Sequence, residues 1–207
     1  EEFNEFLTDF NSYIEIEKPS FLANLNYFFS YQLRQMYFRY FMWNFSGRQN
    51  DKQWKYDLEN GNWISGINLI DEYRLGPQKN LPSDVINNKA RNQYYLIPFI
   101  LGIIGLIFIF KKNLKIFWPI FLLFIFTGIA LKFYLNERVF EPRERDYALV
   151  GSFYTYCIFI GFSFIAISEY FLKYLKNNFS FLFAIAITVT SPILLSFNNW
   201  DDHDRSN

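Results

Sequence analysis

Three short polar segments interrupt a sequence that is otherwise rich in apolar and aromatic residues, and the first of them spans 43–51 (WNFSGRQND). Arg48 in this segment is suited to bind a phosphate, because its planar guanidinium can donate two parallel hydrogen bonds. Gln49 and Asn50 suit sugar hydroxyls, because each amide both donates and accepts, and Asp51 adds a carboxylate. The alternative is a polar turn that caps the preceding helix.

The second segment, 136–147 (NERVFEPRERDY), alternates acidic and basic residues. Arg143 and Arg145 are candidates for clamping a phosphate or pyrophosphate. Three neighbouring acids are candidates for orienting these arginines or for accepting a proton. These acids are Glu141, Glu144 and Asp146. The alternative is a network of salt bridges in which the acids and bases neutralise one another.

The third segment, 198–206 (NNWDDHDRS), holds three aspartates and the single histidine of the chain. Asp201, Asp202 and His203 could bind a divalent cation, since carboxylates and imidazole are both metal ligands. His203 could instead act as a general base, and Asp204 extends the acidic cluster. Adjacent ligands on one short segment rarely complete a metal site, so a hydrogen-bonded substrate or structural site and a solvated helix end remain as alternatives.

Long apolar stretches must position these segments. Of the 207 residues, 51% are hydrophobic and 23% are aromatic, and the charged residues cluster between the apolar stretches. Four stretches approach the roughly 20 apolar residues that cross a bilayer core. They are 94–110, 116–134, 148–171 and 179–197. The predicted fold class is all-α integral membrane, a helical bundle with four transmembrane helices plus an interfacial helix and loop region on the outer face.

The lysines between the stretches predict the orientation. The link between the first and second stretches carries three lysines and the link between the third and fourth carries two, so the positive-inside rule places both links in the cytoplasm. The loop 135–147 balances its arginines with acids and falls on the outer side. Alternation places 1–93 and the tail 198–207 there too. We expect a bacterial inner-membrane protein whose polar segments all face the periplasm.

The outer-face region 1–93 contains a long aromatic helix at about 20–46. Ser20 follows a proline and is the expected N-cap. Arg34 and Arg39 make this helix too polar for a span, so we expect an interfacial or protein-buried helix, with a fifth span as the alternative.

Composition excludes several other classes. The net charge is zero, so no nucleic-acid partner is expected. Cys157 is the sole cysteine, which rules out an intramolecular disulfide and a cysteine-based zinc site. The chain opens at Glu1 without a signal peptide, and we expect both ends to continue in a longer protein.

The polar segments also carry a resemblance to a known family. They resemble those of a group of multi-pass membrane proteins common in Bacteroidetes, long catalogued as a domain of unknown function and similar to a eukaryotic transmembrane protein O-mannosyltransferase. The resemblance covers most of residues 30–207, so the chain looks like an internal or C-terminal-half fragment. The matching strings are MYFRYFMWNFSGRQND (36–51), NWISGINLID (62–71), KARNQYY (89–95), EPRERDYALVGSFY (141–154) and NNWDDHDRSN (198–207).

The resemblance implies a C-type glycosyltransferase architecture. Such enzymes transfer a sugar, here mannose, from a polyprenyl-phosphate donor to a Ser or Thr hydroxyl of an acceptor protein on the outer side of the membrane. Their acidic catalytic residue usually lies in the first outer loop, which would precede residue 1, so no catalytic base is assigned. The expected partners are the bilayer, the lipid-linked sugar and the acceptor protein. The alternatives are a non-catalytic component of a cell-envelope or secretion assembly and a transporter of lipid-linked sugar.

Overall fold

The structure, a computed structural model, describes Glu5 and residues 18–54, 57–137 and 146–200, and most of these residues are helical. The helices are α1 (residues 21–45), α2 (Asn68–Leu75), α3 (Ser83–Ile86), α4 (Ile97–Lys112), α5 (Leu114–Leu135), α6 (Val150–Phe171) and α7 (Asn177–Asn199). Two short antiparallel strands are β1 (Gly47–Arg48) and β2 (Asn92–Gln93). A 3-10 turn, Asp146–Leu149, leads into α6.

Three helices in the described part of the chain are long and apolar enough to cross a membrane, namely α5, α7 and α6 with the turn before it. They match the predicted stretches 116–134, 148–171 and 179–197, and the chain is a helical integral membrane protein. The remaining stretch corresponds to α4, which has 16 residues and extends about 24 Å at 1.5 Å per residue. It begins at Ile97 because Tyr95 and Leu96 take positive φ angles of 52° and 59°.

Helix α1 is continuous but changes its hydrogen-bonding pattern twice. Its parts are the α-helical Phe21–Tyr27, the π-helical Phe28–Arg39 and the α-helical Tyr40–Phe45. Ser20 is the N-cap, as predicted, and its Oγ accepts from the amide of Ala23 at 3.2 Å. The last turn is buried in the bundle, where Phe41 and Phe45 lie edge-on to Tyr156 with ring centroids 4.7 and 4.6 Å apart. α1 is not among the three described helices that are long and apolar enough to cross a membrane.

Helices α4 and α6 form the tightest contact between the long helices, and glycines make it possible. A Cβ on Gly105 would lie 1.8 Å from the carbonyl oxygen of Phe159, and one on Gly102 would lie 2.3 Å from the ring of Tyr156. Small residues allow this close approach, which is how helices associate in a membrane. The order of these contacts shows that α4 and α6 run parallel.

The two ends of the bundle differ in the polar contacts that they contain. At the end where α4 and α6 finish, Lys112 pairs with Glu169 at 2.7 Å, and we call this the lysine end. At the other end, which we call the polar end, the Nδ2 of Asn92 donates to the Oδ1 of Asn199 at 2.8 Å. Because α5 and α7 run opposite to α4 and α6, α5 also finishes at the polar end. The described parts of all three polar segments therefore lie at one end.

The strand pair is a detail that the all-α prediction did not include. β1 pairs with β2 so that Gly47 faces Gln93 and Arg48 faces Asn92. Gly47 has a φ of 145°, and a Cβ there would lie 2.3 Å from the carbonyl oxygen of Asn92. A glycine is therefore required for the two backbones to meet.

Candidate functional site

A cavity of about 360 Å³ lies at the polar end, where α1, β1, the residues between β2 and α4, and the end of α7 converge. Its walls come from segments far apart in the sequence. The lining residues are Tyr40, Trp43, Asn44, Arg48, Tyr94, Leu195 and Asn199. One of these residues is a cation and none is an acid, so the cavity has a positive formal charge.

The position of Arg48 is fixed by its backbone and by contacts of its side chain. Strand β1 holds the backbone against β2, and an isolated bridge joins Arg48 to Trp63. The Nε of Arg48 donates to the carbonyl of Ala90 at 3.0 Å. Its Cζ lies 6.0 Å from the centre of the Trp43 ring. The guanidinium is thus held at the cavity wall by the protein itself, which is the preorganisation that anion binding requires.

Further hydrogen-bonding groups surround Arg48. The indole Nε1 of Trp43 is buried, and it has no partner in the part of the chain that the structure describes. The Nδ2 of Asn199 donates to the hydroxyl of Tyr94 at 2.8 Å, and the Nδ2 of Asn44 donates to the carbonyl of Tyr40 at 2.8 Å. A buried donor without a partner is costly. The lining therefore suits a ligand that brings acceptor oxygens, such as a phosphate or a sugar hydroxyl.

Asn199 joins the third polar segment to this cavity. It is the last residue of α7, and its side chain bonds both Asn92 and Tyr94. Trp200 follows it and is 77% exposed. The predicted cation ligands and bases of this segment lie outside the described residues. These are Asp201, Asp202, His203 and Asp204.

Gln49 and Asn50 are buried and hold a loop rather than lining the cavity. The Nε2 of Gln49 donates to the carbonyl of Leu58 at 3.0 Å, and its Oε1 accepts from the amide of Asn62 at 3.1 Å. The Oδ1 of Asn50 accepts from the amide of Gly61 at 2.9 Å. Most of their hydrogen-bonding capacity is thus used within the protein, which is the role of a polar turn. Asp51, beside them, is exposed.

The second polar segment is only partly described. Glu141, Arg143, Glu144 and Arg145 lie outside the described residues, and of Asp146 only the backbone is described, at the start of the 3-10 turn. No group of acids, histidines and cysteines suited to a metal ion occurs among the described residues.

A buried ion pair at the start of this segment was not predicted. The Nζ of Lys132 lies 2.6 Å from the Oε2 of Glu137, and both side chains are almost fully buried. The Oε1 of Glu137 has no hydrogen-bond partner among the described residues. The Nε2 of Gln32, from α1, donates to the Oδ1 of Asn136 at 2.9 Å. The bond from Gln32 therefore joins the end of α5 to α1 next to the ion pair.

Sequence reasoning identified Arg48 but missed the residues that complete its cavity. Trp43 lies in the same polar segment, and Tyr94 and Asn199 each lie in strings that carry the family resemblance. The polarity of these three residues beside apolar stretches was the signal available in the sequence. That they converge on one cavity could not be predicted, because it depends on contacts across more than 100 residues.

Comparisons with protein-family models, with curated proteins and with solved structures gave no match for this chain. The geometry of the cavity and the chemistry of its lining therefore carry the functional argument.

Proposed function

We propose that this chain is part of a membrane glycosyltransferase that takes a sugar, mannose in the first instance, from a polyprenyl-phosphate donor and transfers it to a Ser or Thr hydroxyl of a protein. The observation that carries the proposal is Arg48, held at the wall of a cavity at the polar end of the bundle. A guanidinium with a neighbouring indole N–H suits the phosphate of such a donor.

An apolar groove on α7 supports a lipid-linked ligand. The groove has a volume of about 650 Å³ and lies at the same end of α7 as the cavity. Its residues alternate along the helix with Leu195 and Asn199, which face the cavity. The groove is lined by Val189, Pro192, Ile193, Ser196, Phe197 and Trp200. A phosphate at Arg48 and an isoprenoid chain along α7 would place the polar and apolar parts of one donor in matching surroundings.

The proposed reaction is a displacement at the anomeric carbon. The acceptor hydroxyl oxygen forms a new bond to that carbon, the bond from the carbon to the phosphate oxygen breaks, and the phosphate leaves with its electron pair. Arg48 stabilises the negative charge that develops on the leaving phosphate. The hydroxyl proton passes to a base, which no described residue is assigned to supply. In this proposal α4 is the fourth span and the polar end faces the periplasm.

The test is complementation of a deletion strain of the source bacterium with the full-length gene. We expect Arg48→Ala to lower protein mannosylation about a hundredfold, the size of effect seen when a charge-stabilising donor is removed. Arg48→Lys keeps the charge but loses the planar fork of the guanidinium. We expect its level of mannosylation to lie between those of the native protein and Arg48→Ala. Mass spectrometry of glycosylated peptides measures the effect.

Lys52→Ala is the matched control, because Lys52 is exposed and does not line the cavity. Unchanged glycosylation in the deletion strain overturns the enzyme proposal. Movement of a polyprenyl-phosphate sugar across vesicles containing the purified protein, without transfer to protein, would indicate a transporter instead.

A further inference from the structure

A second cavity, of about 570 Å³, lies between the middle of α1 and the loop that ends in α2. It shares no lining residue with the Arg48 cavity and is independent of the proposed function. It has three arginines and one acid in its lining. The lining residues are Arg34, Gln35, Phe38, Arg39, Trp54, Asp57, Leu58, Asn62, Trp63, Tyr73, Arg74 and Leu75.

Arg74 is the most constrained of the three arginines. Its Cζ lies 3.4 Å from the centre of the Trp63 ring, and its Nη1 donates to the carbonyl of Trp63 at 2.9 Å. Burial lowers the pKa of Arg74 to about 10, while Asp71 opposes this shift and the charge of Arg34 adds to it. The guanidinium is therefore desolvated and repelled by a second cation.

The nearby acids are already used by the protein. Asp71 is buried, and its carboxylate accepts from the amides of Ser65 and Gly66, each at 2.8 Å. The carboxylate of Asp57 accepts from the amides of two residues in its own loop. The salt bridges found in the described part of the chain involve neither Arg34 nor Arg74.

Arg34 provides the second charge from the opposite wall. It is exposed on α1, whereas Arg74 belongs to α2. Arg39, by contrast, is buried and donates from its Nη1 to the carbonyl of Gly61 at 2.6 Å, so its role is structural. The lining holds three cations and one acid, and this net positive formal charge, with Arg34 and Arg74 on opposite walls, suits an anion.

The rim of this cavity adds an apolar surface. Leu69 and Tyr73 are 83% and 92% exposed and lie four residues apart on α2, so they share one face of that helix. Phe38 lines the cavity from α1 and is also exposed. We propose that this cavity binds a phosphate monoester or diester between Arg34 and Arg74. The phosphate can be free or can belong to a lipid headgroup whose chains contact the apolar rim.

The test is a titration of the purified full-length protein in detergent micelles with inorganic phosphate and, separately, with dioctanoyl phosphatidic acid. Sodium chloride keeps the ionic strength constant. Tryptophan fluorescence reports binding, because Trp54 and Trp63 line the cavity. We expect a saturable change that Arg34→Gln and Arg74→Lys each weaken about tenfold, since each removes charge-assisted hydrogen bonds.

Arg34→Gln keeps the test decisive if Arg74→Lys does not fold, because Arg34 is exposed. Arg91→Gln is the matched control: Arg91 is partly buried in the same region, donates to Gln78 and does not line the cavity. Arg48→Lys should bind normally, which separates this site from the donor site.

Both supporting outcomes require that the two arginine variants weaken binding. Binding of both probes then supports a general phosphate site, and binding of the lipid alone supports a headgroup site. Absence of a saturable signal with either probe overturns the proposal. Equal binding by the native protein and both variants does so as well.

Discussion

Among the described residues, each end of the bundle contains one Lys–Glu ion pair, and the two pairs differ in burial. Lys112 and Glu169 at the lysine end are 2.7 Å apart, with side chains 58% and 44% exposed. Lys132 and Glu137 at the polar end are 2.6 Å apart, with side chains 2% and 1% exposed. A solvated pair contributes little to stability, whereas the members of a buried pair depend on each other. We therefore expect the loss of one partner to destabilise the protein more at the polar end than at the lysine end.

The largest expected effect comes from breaking the buried pair. Glu137→Ala leaves the ammonium of Lys132 buried without a partner, and we expect a loss of about 3–5 kcal/mol in the free energy of unfolding. Denaturant unfolding of the protein in mixed micelles measures the change.

The double variant Lys132→Met/Glu137→Leu removes both charges and serves as the control. We expect it to recover most of that loss, because an apolar pair avoids the desolvation cost. A single variant as stable as the native protein would show that the pair is not buried in the membrane-embedded protein.

A second, smaller effect tests how the polar end is assembled. Gly47→Ala introduces a Cβ at a φ of 145° and only 2.3 Å from the backbone of Asn92. We expect a loss of about 3 kcal/mol in the free energy of unfolding, the upper end of the range for a strained residue. If the proposed function holds, protein mannosylation should fall as well, because Arg48 loses its strand partner.

The matched control is Gly76→Ala, which has a φ of 84° but no atom within 4 Å of the added Cβ. It should lose about 1 kcal/mol from backbone strain alone. Equal losses in the free energy of unfolding for the two variants would mean that the close approach of β1 to β2 does not add to the cost of Gly47→Ala.

The smallest effect is expected at the lysine end. Lys112→Ala removes one partner of the exposed pair, and we expect a change of less than about 1 kcal/mol, decreasing further in high salt. Thermal unfolding at low and high salt checks this. A loss as large as that of Glu137→Ala would remove the difference between the two ends.

Local signals in the sequence were sufficient to predict much of the fold. The apolar stretches predicted α5, α6 and α7, and Ser20 predicted the start of α1 because N-capping depends on neighbouring residues only. Helix α4 begins at Ile97, three residues after the start of the apolar stretch 94–110. Tyr94 is buried and receives a hydrogen bond from Asn199, so it makes a tertiary contact just before α4.

For the candidate site, the sequence predicted which residue types could bind a ligand but not which of them line a cavity. Arg48 could be chosen from its type and its neighbours, but Gln49 and Asn50, chosen on the same grounds, are bonded to a loop ten or so residues ahead. Nothing in local sequence distinguishes these outcomes. Arg74 was missed because its stacking on Trp63 exists only in the folded chain.

The bond between Asn92 and Asn199 has a consequence for how this protein is made. The two residues are 107 positions apart, and chains emerge from the ribosome N-terminus first, at about 5–20 residues per second. Arg48 and β1 are therefore translated long before the helix that closes their cavity. The cavity is completed only when α7 has entered the membrane, so a polypeptide halted before α7 carries the arginine without the wall formed by Leu195 and Asn199.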